Sequence, residues 1–172
     1  MSKTAEGNFF EDFEVGRELV HGVPRTVTTG DAALYIGLTG ARHAVHCADS
    51  FARACGYAQS PIDDLLTFHV VFGKSVPDVS LNAVANLGYA EGRFLAPVFA
   101  GDTLVARSEV IGLKENSNGR TGTVYVRTKG YREGEPVLDY VRWVMVRKRD
   151  AASPTPEPQV PQLKPALDVA DL

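Results

Sequence analysis

The chain has 172 residues, a formal net charge of −3 and 44% hydrophobic residues, which is typical of a soluble globular domain. This charge balance gives no reason to expect binding to nucleic acid or to a membrane surface. The N-terminal segment MSKTAEGNFF has no apolar run, so we expect no signal peptide and no anchor. The cysteines Cys47 and Cys55 have neither metal-site spacing nor the density of a disulfide scaffold, and we therefore expect a cytoplasmic protein.

The first third of the chain predicts a strand followed by helices. The strand is expected near residues 18–28, and a helix is expected to begin at Thr29 or Gly30 and to end at Gly40. The apolar side chains of this helix can form one packing face, which comprises Ala32, Leu34, Tyr35 and Leu38. A loop and a short helix near residues 49–55 should then lead into a longer helix.

A helix that is apolar on nearly every side is predicted within residues 60–75, SPIDDLLTFHVVFGKS. Ser60 is a favourable N-cap, Pro61 is tolerated in the first turn, and Asp63 lies near the positive end of the helix dipole. Because a surface helix has only one apolar stripe, this helix should be buried on all sides. His69 is accordingly expected to be a hydrogen-bonded core residue.

The rest of the domain should be an antiparallel sheet. Strand-like runs follow one another at residues 82–98, 103–115, 121–132 and 137–149. A curled antiparallel sheet wrapped round its longest helix is the hot-dog fold, an α+β architecture. We expect this domain to span residues 1–149, followed at 150–172 by a tail or linker that carries half of the ten prolines.

A gapped motif lies between the two predicted helices. Residues 35–46 read YIGLTGARHAVH, and Ala52 follows after five further residues. The spacing resembles the signature of MaoC-like hydratases: an aromatic residue, Leu-Ser/Thr-Gly, Asp, any residue, Asn, Pro, an apolar residue, His, and Ala six places on. The positions that match in type are Tyr35, Leu38, Thr39, Gly40, Val45, His46 and Ala52. The segment RFLAPVFAGDTL is similar to a strand and turn of the same family.

Two longer segments, PIDDLLTFHVVFGKSVPDVSLNAVANLGYA and YVRWVMVRKRD, resemble more closely the N-terminal half of the two-domain mesaconyl-CoA hydratases (β-methylmalyl-CoA dehydratases). The resemblance implies reversible hydration of an enoyl-CoA thioester with a branched or dicarboxylic C4–C5 acyl group such as mesaconyl. It also implies that no metal or redox cofactor is needed, and that the chain forms a homodimer or a heteromer with a second hot-dog domain. The Pro-rich tail would correspond to the linker before that second domain.

The chain departs from the family at the positions that carry the chemistry. Ala41 stands where the signature has Asp, His43 stands where it has Asn, and Asp63-Asp64 stands where the family commonly has His-Gly. In the family, the Asp and the His hold and activate one water, and a proton is returned to the α-carbon. The alanine at position 41 can neither hold nor activate that water. A carboxylate of Asp63 or Asp64 near the thioester oxygen would oppose the negative charge that develops on this oxygen.

Three interpretations of this region are therefore open. In the first, the chain is a hydratase with a rebuilt site, whose catalytic residues are His46, Asp63 and Asp64 and whose substrate-binding residues are Gly40, His43 and Arg93. In the second, the site is silent, and the chain shapes the acyl-CoA pocket of a partner hot-dog subunit that carries the intact Asp/His pair. In the third, the carboxylates serve a different thioester chemistry such as hydrolysis.

Several of these residues also have ordinary structural explanations. Asp63 and Asp64 are favourable at a helix N-terminus without any catalytic role. Cys47 beside His46 does not predict a nucleophile and base, because adjacent side chains rarely face each other and no third orienting group is evident. His21 is expected on a strand surface.

Overall fold

The computed structural model describes residues 6–164, which form a five-stranded antiparallel sheet with the longest helix packed on one face. In chain order the elements are β1 (Glu18–Thr26), α1 (Thr29–Thr39), α2 (Ala44–Cys47), α3 (Asp49–Ala54), α4 (Asp64–Ser75), β2 (Ala83–Phe94), β3 (Thr103–Glu115), β4 (Thr121–Arg132) and β5 (Glu135–Arg147). The sheet order is β1-β3-β4-β5-β2, so β1 and β2 are its edges. The predicted hot-dog fold is confirmed.

The inner face of the sheet, which is the face that α4 covers, carries the core. Side chains alternate along each strand, and Leu104 and Ala106 of β3 pack against Val70 and Val71 of α4. The helix can come this close because β4 has a glycine beneath it. A Cβ atom on Gly130 would lie 2.5 Å from Cγ2 of Val71, so a side chain at this position would push α4 off the sheet.

Helix α1 begins and ends where the sequence predicts. The Thr28 side chain accepts a hydrogen bond from the backbone N–H of Asp31, and the Asp31 carboxylate accepts one from the backbone N–H of Thr28. Gly40 ends the helix with a φ of +66°, in the left-handed region. The predicted packing face is wrong in part, because Leu34 is exposed and Leu38 is 77% exposed, while Ala32 and Tyr35 do pack on the core.

Helix α4 begins at Asp64, later than the sequence predicts. Ser60 is not its N-cap. The backbone N–H of Ile62 instead donates to the carbonyl of Val98 at 2.7 Å, which holds this segment in an extended conformation. Asp63 caps the helix, because its carboxylate accepts a 2.9 Å hydrogen bond from the backbone N–H of Leu65.

Helix α4 is buried on only part of its circumference. It packs on β1, β3, β4 and β5, whereas its side toward the edge strand β2 is only partly covered, through ring contacts of Phe68 and Phe72 with Tyr89. Leu65 is 56% exposed on that side, and Phe68 and Phe72 are half-buried. His69 is exposed rather than a core residue. The prediction of complete burial is therefore wrong for the isolated chain, which leaves an apolar helix face partly uncovered.

The described part of the Pro-rich tail lies against the outer face of the sheet. Gln159 and Leu113 of β3 exchange two backbone hydrogen bonds of 2.8 Å. The backbone N–H of Lys164 then donates to Glu91 of β2 at 2.8 Å. This N–H and the guanidinium of Arg127 hold the pKa of the Glu91 carboxyl below its usual value. The tail thus reaches the β2 edge, and residues 165–172 lie outside the described residues.

A buried polar network crosses the core at His21. This side chain is only 2% exposed, so the prediction that it lies on a strand surface is wrong. Its Nδ1 lies 2.6 Å from Oδ2 of Asp78, in the turn after α4, and its Nε2 lies 2.7 Å from Oγ of Ser108. Ser108 Oγ lies in turn 2.8 Å from Oγ1 of Thr128. A histidine is tolerated inside because both ring nitrogens are hydrogen-bonded. The network ties the end of α4 to three strands.

We predict that His21→Ala destabilises the domain by about 2 to 3 kcal/mol, because it leaves buried partners of the ring unsatisfied. Urea unfolding followed by the fluorescence of Trp143, the single tryptophan, measures this change. The exposed His69→Ala is the matched control and should change the free energy of unfolding by less than about 0.5 kcal/mol. Equal effects of the two variants would contradict the assigned role of His21.

Candidate functional site

A cavity of about 300 Å³ opens at the N-terminal end of α4. It lies between α2, the first residue of α4 and the end of β2. The residues that line it are His43, Val45, His46, Tyr57, Pro61, Asp64, Phe94, Leu95, Ala96 and Pro97. The cavity therefore brings together a histidine pair, one carboxylate and an apolar wall, from segments that are far apart in the sequence.

His46 is oriented by the backbone beside the cavity. Its Nδ1 lies 3.1 Å from the carbonyl oxygen of Pro61. A carbonyl oxygen only accepts hydrogen bonds, so Nδ1 carries the proton, and Nε2 of the neutral ring is an acceptor. The ring of His43 lies next to it, with 5.2 Å between the ring centroids. An imidazole held in this tautomer can take a proton from a water molecule in the cavity.

The two neighbouring aspartates have different surroundings. Asp64 is exposed and lines the cavity with His46. Asp63 caps α4 through its contact with Leu65 and is not among the lining residues. The pKa of the Tyr35 hydroxyl is raised, mainly by burial and to a smaller extent by the nearby negative charge of Asp63. Of the two aspartates, only Asp64 lines the cavity with His46, and the structure gives Asp63 a capping role.

The remaining predicted site residues lie away from the cavity wall. Gly40 is the left-handed residue that ends α1, and its backbone N–H donates to the carbonyl of Ile36. Arg93 is exposed on β2, where it is paired in the strand register with Asp139. Neither residue is among those that line the cavity. Only His43, of the three predicted substrate-binding residues, faces the cavity together with His46.

The thiol of Cys47 contacts the backbone of Ala41. The Sγ of Cys47 lies 3.5 Å from the carbonyl oxygen of Ala41, to which the thiol donates. The thiol is therefore directed at the backbone rather than at His46, in agreement with the sequence interpretation that these two residues do not form a nucleophile and base. Within residues 6–164, no cluster of side chains has the composition of a metal site.

Sequence reasoning missed the apolar wall of the cavity. Phe94, Leu95 and Pro97 fall within a segment that resembles the family, yet the motif does not show which of them face inward. No sequence pattern marks Tyr57 as a cavity residue, because it lies in the loop after α3 and only the tertiary fold brings it to the cavity. None of the helices in the described part of the chain is both long and apolar enough to cross a membrane.

The hot-dog sheet and the histidine beside the first turn of its central helix define the chain as a MaoC-like hot-dog domain. The chain belongs to the mesaconyl-CoA hydratase family, because the model of the family described as mesaconyl-CoA hydratase matches residues 2–160.

Three proteins similar to the chain are about twice as long as it is. A mesaconyl-CoA hydratase from Cereibacter sphaeroides is 62% identical over 171 residues, which cover 99% of this chain and 50% of that protein. A structure described as a MaoC domain protein dehydratase from Chloroflexus aurantiacus has a TM-score of 0.94 and 55% identity, covering 100% of this chain and 49% of that one. A Mycobacterium tuberculosis protein described as a double hot-dog fold has a TM-score of 0.78 and 26% identity, covering 97% of this chain and 50% of that one. The chain thus spans about half the length of the curated relatives it matches.

We predict that substitutions of Asp63 and of Asp64 change the free energy of unfolding by different amounts. Asp63→Ala should lower the free energy of unfolding by about 1 kcal/mol, because the helix loses its capping oxygen. Asp63→Asn should restore most of this loss, since asparagine caps as well as aspartate. Asp64→Ala should cost less than about 0.5 kcal/mol in high salt, where the interaction with the helix dipole is screened. Urea unfolding measures all three variants, and a larger loss for Asp64→Ala would contradict the capping assignment.

Proposed function

We propose that the chain contributes an acyl-CoA hydratase or dehydratase site, in which the cavity at the start of α4 binds an enoyl-CoA thioester. The observation that carries this proposal is that His46, whose Nδ1 contacts the carbonyl oxygen of Pro61, lines the same cavity as the carboxylate of Asp64. Membership of a family that includes a protein named mesaconyl-CoA hydratase supports the choice of substrate class.

In the proposed reaction, His46 accepts a proton from water, the oxygen attacks the β-carbon, and the α-carbon receives a proton. Two groups are needed because the base that activates the water is not free at the same moment to position it and return a proton. Asp64 is the described carboxylate that lines the same cavity and can orient that water. The reaction requires no redox cofactor and no metal. The acyl group we propose is a short branched or dicarboxylic one, such as mesaconyl.

The alternative is that this site is not catalytic and that the chain shapes the acyl-CoA pocket of a partner subunit. The observation that favours it is Ala41, which stands where the family signature has a carboxylate. Without that carboxylate, the histidine depends on Asp64, which is exposed to solvent in the described chain. In this alternative the intact acid and base belong to the second hot-dog domain.

The proposed partner is a second hot-dog domain that packs on the β2 surface, which we define as the exposed apolar side chains on and around this edge strand. They are Leu65, Leu81, Val84, Leu87, Tyr89, Phe94 and Leu95. A patch of this kind on an edge strand normally marks an interface. The partner would cover the partly uncovered side of α4 and the apolar rim of the cavity. A cytoplasmic location remains part of the proposal.

We predict that His46→Ala lowers the rate of mesaconyl-CoA hydration by at least about 100-fold, because it removes the proposed base. The loss of enoyl-thioester absorbance measures the rate, and the exposed His69→Ala is the matched histidine control. Asp64→Asn should lower the rate as well. A larger loss for Asp63→Asn would assign the acid to the capping carboxylate instead.

The same assay separates the alternatives when it is repeated with the C-terminal half of the Cereibacter sphaeroides relative added. Activity that appears only in the mixture and is unchanged by His46→Ala would establish the silent-partner alternative. Release of free CoA without loss of the double bond would instead indicate hydrolysis.

We predict that the chain alone forms a dimer and that Leu87→Glu weakens it at least about tenfold, because a charge would then be buried in an apolar interface. Leu87 is 44% exposed on β2, and Val23, which is 66% exposed on the other edge strand, offers Val23→Glu as the matched control. Light scattering over a concentration series measures the dimer. Loss of the dimer in Val23→Glu alone would place the interface at β1.

A further inference from the structure

The peptide group between Pro61 and Ile62 is held at both of its ends. Its carbonyl oxygen lies 3.1 Å from Nδ1 of His46, and its N–H donates to the carbonyl oxygen of Val98 at 2.7 Å. A peptide group is planar, so its carbonyl and its N–H cannot turn independently of each other. The position of Val98 therefore fixes the direction in which the carbonyl of Pro61 meets the ring of His46.

Val98 lies in the loop that joins β2 to β3, and Arg132 of β4 holds this loop in place. Nη1 of Arg132 donates to the carbonyl oxygen of Pro97 at 2.9 Å and to Oδ2 of Asp102 at 3.1 Å. The same Oδ2 accepts a 2.8 Å hydrogen bond from the backbone N–H of Phe99. One guanidinium thus fastens the loop on both sides of Val98.

The charge and the burial of Arg132 suit it to this task. The carboxylates of Glu135 and Asp102 hold the pKa of the Arg132 guanidinium above its usual value. The side chain is only 20% exposed, and hydrogen bonds from a charged donor are stronger than those between neutral groups. Pro97 is one of the residues that line the cavity. The carbonyl that Arg132 holds therefore belongs to the cavity wall itself.

We infer that Arg132 is a positioning residue, which acts through the β2–β3 loop and the Pro61–Ile62 peptide group to hold the ring of His46 with Nδ1 against the backbone. Arg132 is not among the residues that line the cavity, and it acts on His46 only through these intermediates. The effect on the rate rests on the proposed function, because it requires His46 to be the base. The effect on the ring of His46 does not.

The ring nitrogens of His46 give a direct readout of this role. Nitrogen NMR shifts of the full chain at about pH 8, where an ordinary histidine is neutral, report which ring nitrogen carries the proton, and His46→Ala assigns the signals. In the wild-type chain Nδ1 should carry it, because a carbonyl oxygen faces that atom. Arg132→Met removes every donor of the side chain and should lower the ratio of the Nδ1–H form to the Nε2–H form by at least about threefold, since the hydrogen bond to Pro61 is weakened.

The rate of mesaconyl-CoA hydration gives a second readout. Arg132→Met should lower kcat by at least about tenfold, because a displaced base is felt in the transition state. KM should change by less than about threefold, since the wall before Pro97 stays on the sheet through the 2.9 Å hydrogen bond from the N–H of Leu95 to the carbonyl of Val137. Arg132→Lys keeps a charged donor and should restore part of the lost kcat.

Arg149→Met is the matched control. The guanidinium of Arg149 also binds an aspartate, Asp12, at 2.7 and 3.3 Å, but this pair lies at the N-terminal segment and not at the β2–β3 loop. The control should change neither the tautomer ratio nor kcat. Asp102→Asn removes the charge that Arg132 binds and should give a smaller shift in the same direction, which secures the test if Arg132→Met does not fold by circular dichroism.

The outcomes separate the positioning role from the proposed function. A tautomer ratio that is the same in Arg132→Met and in the wild-type chain overturns the positioning role. Equal changes in Arg132→Met and Arg149→Met overturn it as well, because they would reflect a general loss of stability. A wild-type chain that does not hydrate mesaconyl-CoA, but whose tautomer ratio shifts in Arg132→Met, overturns catalysis by the chain alone and leaves the positioning role intact.

Discussion

The packing of α4 on the sheet is the constraint on which the rest of the molecule depends. The helix sits over β1, β3, β4 and β5, and its side toward β2 is only partly covered. This offset has two consequences. It leaves Leu65 in the first turn of the helix exposed, and it places that turn beside the end of β2, where the cavity forms.

The ends of α4 are fixed by polar contacts, although its middle is held by apolar packing. At the N-terminus, the carboxylate of Asp63 accepts from the backbone N–H of Leu65. Beyond the C-terminus, Asp78 contacts the buried ring of His21, which is joined through Ser108 to the neighbouring strand. Hydrogen bonds are directional, so these contacts set the register and rotation of the helix more sharply than apolar packing does. Asp64, the first residue of the helix, lines the cavity, whereas the N-cap Asp63 does not.

The site combines one family feature with one departure. His46 keeps the position of the signature histidine and contacts the carbonyl oxygen of Pro61 through Nδ1, while Ala41 stands where the signature has Asp. The tail leads the chain across the outer face of the sheet to Glu91 at the β2 edge. The partly covered helix face, the edge strand β2 and the end of the described tail therefore lie at the same side of the domain, where we propose that a second hot-dog domain packs.

The sequence by itself determined the order and type of the elements, because the periodicity of strands and helices is a local property. The end of α1 at Gly40, which adopts the left-handed conformation, is local in the same sense. It also identified the motif that contains His46. Only the tertiary structure decided where α4 begins, since that depends on the hydrogen bond from Ile62 to the distant Val98. The burial of His21 and the position of His46 and Asp64 on one cavity were likewise decided by contacts between segments far apart in the chain, which no local pattern encodes.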